Sequence, residues 1–226
     1  MESGWRKLAV KNFLIDLIFP KICVGCGRGG EHLCDNCQKS LAVDLKFISR
    51  EQLGLEKSLD GLWRFWDYDQ KLAKLFVKRL KYDFIIELKD EIGELLTVEV
   101  IEKIKSGLPG EVTLMPIPLH RRRQLWRGFN QAELIAGAIA DKVDWLLEKD
   151  ALKRIKNSKQ QAKLKEDDRE ANVKGIFALN ETSRDFPSRT AVLIDDVFTT
   201  GATMQEAARI VKQAGFLKVY GLVLAS

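Results

Sequence analysis

The sequence predicts an α/β domain built around a parallel sheet, with a small four-cysteine metal module ahead of it. Three observations carry this. Short apolar runs rich in β-branched residues alternate with segments of helical apolar spacing, the pattern of βαβ units. One run, 191–194, ends in the adjacent acids Asp195 and Asp196 and passes through a Thr-Thr-Gly turn into a helical pattern over 204–213. All four cysteines fall between positions 23 and 37.

The elements follow in chain order. Leu8, Val10, Phe13, Leu14, Leu17 and Ile18 stand at helical spacing, which predicts an amphipathic helix over 5–18, closed by Pro20. Asp16 interrupts its apolar run, which is far too short to span a bilayer. No small-residue cleavage site follows, so no membrane span is expected and the cytoplasm is the expected compartment. The segment 38–60 has weak periodicity and reads as a link between modules. Residues 62–68 predict a strand, with Trp63 and Phe65 alternating with polar neighbours. A basic helix is expected over 70–81, with Leu72, Leu75, Phe76 and Leu80 on its apolar stripe, and a further helix over 85–105.

Residues 112–115 predict a strand running into Pro116-Ile117-Pro118, and 129–143 a helix with Asn130 as its N-cap. A short strand is expected near 145–147, an edge strand at 176–179 and a last strand at 218–224. Between them, 153–174 is almost wholly polar and charged, the composition of a mobile loop or exposed hairpin. The expected division is 1–45 for the helix and metal module and 46–226 for the α/β domain.

The composition is that of a soluble globular protein: 46% hydrophobic, 31% charged, formal net charge +5 over 226 residues. That mild excess permits phosphate or polyanion binding without requiring it. Cys23, Cys26, Cys34 and Cys37 form two C-x-x-C pairs seven residues apart. Two tight turns supplying four thiolates match a closed, structural Zn2+ site. Two disulfides or a redox pair are the alternatives, and His32 could stand in for one thiol.

The strand–turn–helix at 191–213 has its own chemistry. Backbone N–H groups at a helix start lack intrahelical partners and attract a phosphate. Gly201 allows close approach, Thr199, Thr200 and Thr203 add hydroxyl donors, and Asp195 and Asp196 accept from sugar hydroxyls. Together they describe a receptor for a ribose 5-phosphate; an ordinary capped turn is the plainer alternative. A Walker loop is excluded, because no Gly-Lys-Ser/Thr ends the turn. A second basic stretch follows Pro118: Arg121, Arg122, Arg123 and Arg127, four arginines in seven positions. The guanidinium fork suits bidentate phosphate recognition, while a solvated basic loop is the bland reading. Basic residues interleaved with aromatics, Trp63-Arg64-Phe65-Trp66 and Arg123, Trp126, Arg127 and Phe129, could contact a single strand of nucleic acid.

The segment 191–203 resembles the phosphoribosyl pyrophosphate (PRPP) motif of type I phosphoribosyltransferases. Pro116-Ile117-Pro118-Leu119-His120, Arg127-Gly128-Phe129-Asn130-Gln131, Phe19-Pro20 before the cysteines, and Tyr68-Asp69 with Lys78, Lys81 and Tyr82 narrow the resemblance to the ComF family. Arg154, Gln161, Leu164, Arg169, Asn172 and Phe177 extend it. The resemblance implies a type I phosphoribosyltransferase core. It implies catalytic roles for Asp195 and Asp196 on the ribose hydroxyls, with Thr199, Thr200, Gly201, Ala202 and Thr203 around the 5-phosphate. Arg121, Arg122, Arg123 and Arg127 would take the pyrophosphate, and Arg154, Gln161 and Arg169 would stand on a loop that closes over PRPP. Mg2+ would arrive with PRPP. The implied activity is phosphoribosyl transfer to a nitrogen acceptor, in a setting of DNA uptake with single-stranded DNA and competence proteins as partners. A DNA-binding competence factor without transferase activity is the rival reading.

Overall fold

The computed structural model describes residues 20–54, 58–82, 88–156, 173–180 and 188–226. The helix expected over 5–18, and Gln161 and Arg169, lie outside the described residues. The chain divides into two compact units between Ala42 and Val43. In the first, an isolated bridge joins Ile22 to Gly29, and helix α1 spans Asp35–Ser40 with Cys34 at its N-cap.

The second unit is built on a six-stranded sheet. Strand β1 (Lys46–Ser49) and the one-turn helix α2 (Arg50–Leu53) lie where the sequence reads as linker. β1 pairs antiparallel with β2 (Gly61–Trp66) at the edge of the sheet. Its side chains are exposed or half-buried, so it carries no apolar alternation to betray it. Helix α3 (Lys71–Tyr82) follows β2, as its apolar stripe requires. The single helix expected over 85–105 is instead two, α4 (Leu88–Leu95) and α5 (Val98–Ser106). Thr97 breaks the run by capping α5: its side chain accepts from the Val100 amide at 3.4 Å.

Strand β3 (Val112–Pro116) is wholly buried. Helix α6 (Arg121–Arg127) and helix α7 (Gln131–Ala140) lead to the two-residue strand β4 (Leu146–Leu147). Strands β5 (Leu152–Arg154) and β6 (Phe177–Leu179) form a separate antiparallel ribbon. The polar stretch 153–174 therefore begins as a strand; its middle, 157–172, lies outside the described residues. Strand β7 (Thr190–Val197), helix α8 (Ala202–Gln213) and strand β8 (Lys218–Ala225) close the chain.

The sheet order is β1-β2-β8-β7-β3-β4, with every pairing parallel except that of β1. From β3 the chain crosses outward to β4; from β7 it crosses the opposite way to β8. The order therefore reverses between β3 and β7. In open α/β sheets, ligands bind at that point, beyond the carboxyl ends of the strands. Ala191 and Leu193 of β7 share a core with Met204, Ala207, Ala208 and Val211 of α8 and Leu152 and Phe177 of the ribbon. Alternation along the strand then gives Asp195 to that face and Asp196 to the other.

Candidate functional site

Both arms of the β3–β7 crevice run into helices. After β7, Phe198 donates its amide to Ala225 O at 2.9 Å, which holds the start of the turn against β8. Gly201 has φ +77°, and a Cβ there would lie 2.2 Å from the Phe198 ring. Only glycine fits without strain. Helix α8 opens with no side-chain cap, and its first bond runs from Gln205 N to Gly201 O at 2.8 Å. Thr199 is exposed, Thr200 and Thr203 are half-buried, and Gly201 and Ala202 are buried beneath them. Thr200 Oγ1 accepts from Ala202 N at 3.5 Å, and such a start to three turns of helix, rimmed by hydroxyls, is suited to an anion.

After β3, Ile117 donates to Ile194 O at 2.8 Å, extending the β3–β7 pairing to the lip of the crevice. Asn130, 3% exposed, caps α7 as its spacing predicts: its Oδ1 accepts from Ala132 N at 3.1 Å. Its Nδ2 donates to Ile117 O at 3.1 Å, tying α7 to the same lip. The arginines do not lie in a loop. They form α6, capped by His120, whose Nδ1 accepts from Arg122 N at 3.3 Å, and closed by left-handed Gly128 at φ +74°. A helix parts them: Arg123 and Arg127 share a face and are half-buried, while Arg121 and Arg122 are exposed. Leu125 and Trp126, 75% and 62% exposed, turn outward from the same helix.

The acid pair has a different counter-cation on each face. On one, Lys81 Nζ from the end of α3 lies 3.0 Å from Asp196 Oδ1. Burial opposes the charge on Lys81, but Asp196, then Asp195 and Tyr68, raise its pKa above the usual lysine value. On the other, Asp195 faces the Arg154 guanidinium, and its Oδ1 accepts from the Asp196 amide at 2.8 Å. Burial first, then the neighbouring carboxylate, push Asp195 up to about 7, against the pull of Lys81 and Arg154. Arg154 is itself lowered to about 10 by burial and by Arg123, and its guanidinium lies 5.5 Å from the Phe177 ring centroid. The fold thus gathers Asp195, Asp196, Arg123 and Arg154 from three separate stretches. Lys81 joins them from a fourth stretch, and the sequence signal for it is its place in Tyr68-Asp69…Lys78…Lys81.

One expected surface fails. Trp63, Phe65 and Trp66 are 5%, 0% and 1% exposed and serve the core, so they cannot stack on bases. Trp66 instead meets Phe76 of α3 edge-on, with ring centroids 5.7 Å apart.

In the first unit, the sulfurs of Cys23, Cys26, Cys34 and Cys37 all lie within 4.8 Å of one another, and none is in a disulfide. Cys34 Sγ is 3.6 Å from both Cys23 Sγ and Cys26 Sγ. Tetrahedral ligation at a Zn–S length of about 2.3 Å sets sulfurs about 3.8 Å apart, so the cluster has the right size for a metal ion. Cys23 is buried, yet amides of Cys26, Cys34 and Gly25 bring its thiol down to about 6, while burial and the other three sulfurs push Cys37 up to about 12. Four thiols crowded together without a cation resist shared ionisation; a bound cation removes that conflict.

Among the described residues, no helix is long and apolar enough to cross a membrane. No family model matches the chain. Competence protein F of Haemophilus influenzae is 29% identical over 223 residues, 90% of this chain and 96% of that protein. Competence protein ComFC of Streptococcus pneumoniae is 27% identical over 212 residues, 89% and 87% of the two chains. The DNA utilization protein YhgH of Salmonella typhi is 31% identical over 150 residues, 66% of this chain and 64% of its own length. The two competence proteins are matched almost end to end, and it is to competence protein F and ComFC that the chain is similar along most of its length.

Proposed function

We propose that the chain binds PRPP in the β3–β7 crevice and transfers its phosphoribosyl group to a nitrogen acceptor, in the service of DNA uptake. The observation that carries this is the junction at the end of β7. Two acids, an αL glycine and a hydroxyl-rimmed helix start follow one another where the strand order reverses. Asp195 and Asp196 receive the ribose hydroxyls, and the Thr199–Thr203 turn takes the 5-phosphate. Arg123 and Arg127 face the pyrophosphate, with Arg121 and Arg122 at the outer rim. Gln161 and Arg169 belong to the segment expected to cover the ligand.

In the reaction, the C1–O bond to pyrophosphate breaks with its electron pair leaving on oxygen. A C1–N bond forms, and the acceptor nitrogen gives up a proton. The ribosyl centre gains positive charge on the way, so the chain's part is to align the reactants and place carboxylates beside that charge. Asp195, poised near neutral pH, is the group suited to take the proton. Magnesium arriving with the substrate would neutralise the pyrophosphate. Zinc in the cysteine cluster is structural, since four thiolates leave no open coordination position.

The double variant Asp195→Asn with Asp196→Asn tests this by calorimetry. PRPP binding should be lost while the variant stays folded; unchanged affinity would refute the site. A second reading, single-stranded DNA held on α6, is favoured by Leu125 and Trp126 standing exposed among arginines. The relatives' names, competence and DNA utilization, agree with either role.

A further inference from the structure

Lys81 is a half-buried cation at the end of a helix, where a positive charge is favoured by the helix dipole. Its side chain is 24% exposed and that of Asp196 10%, so their contact at 3.0 Å is shielded from solvent. A partly buried ion pair is poor value as a fold stabiliser, because desolvation offsets much of the attraction. Its place says more than its energy. It joins α3 to the carboxyl end of β7, inside the crevice and beside the turn around Gly201.

Adjacent carboxylates resist being ionised together, and a cation nearer to one decides which keeps its charge. The charged groups around the pair come from several elements. Lys81 faces Asp196 and Asp195 of β7 and Tyr68 after β2; Asp195 faces Arg154 of β5, and Arg154 faces Arg123 of α6. Lys81 contacts the pair directly, its ammonium lying 3.0 Å from Asp196 Oδ1.

From this we infer that Lys81 is the positioning residue of the acid pair: its ammonium holds the Asp196 carboxylate in place as the acceptor of a ribose hydroxyl, so that a proton exchanged at the pair is exchanged on Asp195. The inference rests on the PRPP reading above and adds to it a division of labour between the two acids. Lys81 acts through Asp196 and does not itself touch the sugar. Lys81 raised above its usual value, with Asp195 displaced toward neutrality, agrees with that division.

The test titrates the full chain, Lys81→Met and Lys81→Arg with two probes, ribose 5-phosphate and inorganic phosphate, between about pH 6 and pH 9. Lys81→Met should weaken ribose 5-phosphate binding by about tenfold, the scale of a lost charge-assisted hydrogen bond. It should also move the pH midpoint of that binding upward, since Asp195 loses a cation that pulls its pKa down. Inorganic phosphate, which needs only the turn, should bind within about twofold of the parent, and Lys81→Arg should restore both affinity and midpoint. A Lys81→Met protein with unchanged sugar affinity and midpoint overturns the inference while leaving the PRPP site standing. Equal losses for both probes overturn it as well, because a merely structural role produces that pattern. A parent protein that binds phosphate but shows no preference for ribose 5-phosphate removes the PRPP reading itself, and this inference with it.

Discussion

Replacing Gly201 by alanine perturbs the turn at two points whose costs can be separated. At φ +77° an L-residue pays roughly 1–2 kcal/mol for the left-handed backbone. The new Cβ would also stand 2.2, 2.7 and 2.9 Å from three atoms of the Phe198 ring. That ring packs against the core beneath α8, and its backbone is held by the bond to Ala225 O at 2.9 Å. It must therefore swing or lift, at an overpacking cost of about 1–3 kcal/mol. Gly201→Ala should lose about 2–5 kcal/mol in all, read as a lower urea midpoint with an unchanged slope. Adding Phe198→Ala removes the overlap, so in that background Gly201→Ala should cost only the backbone share of about 1–2 kcal/mol. If Gly201→Ala is as stable as the parent to within about 0.5 kcal/mol, the turn does not hold the backbone described here.

Two further outcomes follow from the ionisable groups. Asp195 keeps its proton to about 7 in the folded chain but titrates from the ordinary 3.8 when unfolded. The folded state then binds more protons between those values, so its contribution is complete below about pH 4 and is lost as pH rises to about 7. Asp195→Asn should flatten that decline in thermal unfolding, and an unaltered pH profile would count against burial of Asp195. Cys34→Ser removes the sulfur that sits 3.6 Å from two others. By elemental analysis it should carry well below about one zinc per chain, and chelation should unfold the parent's cysteine unit but change the variant little; a fully loaded variant would contradict four-sulfur ligation.

Much of the α/β unit was legible because its signals are local. Strands β7 and β8 are built on buried apolar runs, Ala191 to Ile194 and Gly221 to Ala225, as buried parallel strands must be. Asn130 announces α7 because capping needs only its own side chain and the next turn. Where apolar spacing ran on through Leu95 and Leu96 to Val100 and Ile101, it masked the break at Thr97. β1 escaped notice because an edge strand half in water need not alternate. The same limit governs the site. The turn at Gly201 and the acids are contiguous and could be read, whereas Lys81 and Arg154 reach the acids only through the fold, 115 and 41 positions before Asp196 and Asp195 in the sequence. The tryptophans of β2 look alike in sequence whether they face a core or a base; only their burial separates the two.

In the proposed site, the amides and hydroxyls of the turn grip a sugar phosphate while the acids hold the sugar. Backbone amide resonances of labelled protein, followed as ribose 5-phosphate is added, test it most directly. Saturable shifts should centre on Thr199, Thr200, Gly201, Ala202 and Thr203 and reach Asp195 and Asp196. Saturation with no shift at those residues, or shifts centred elsewhere on the chain, would contradict it.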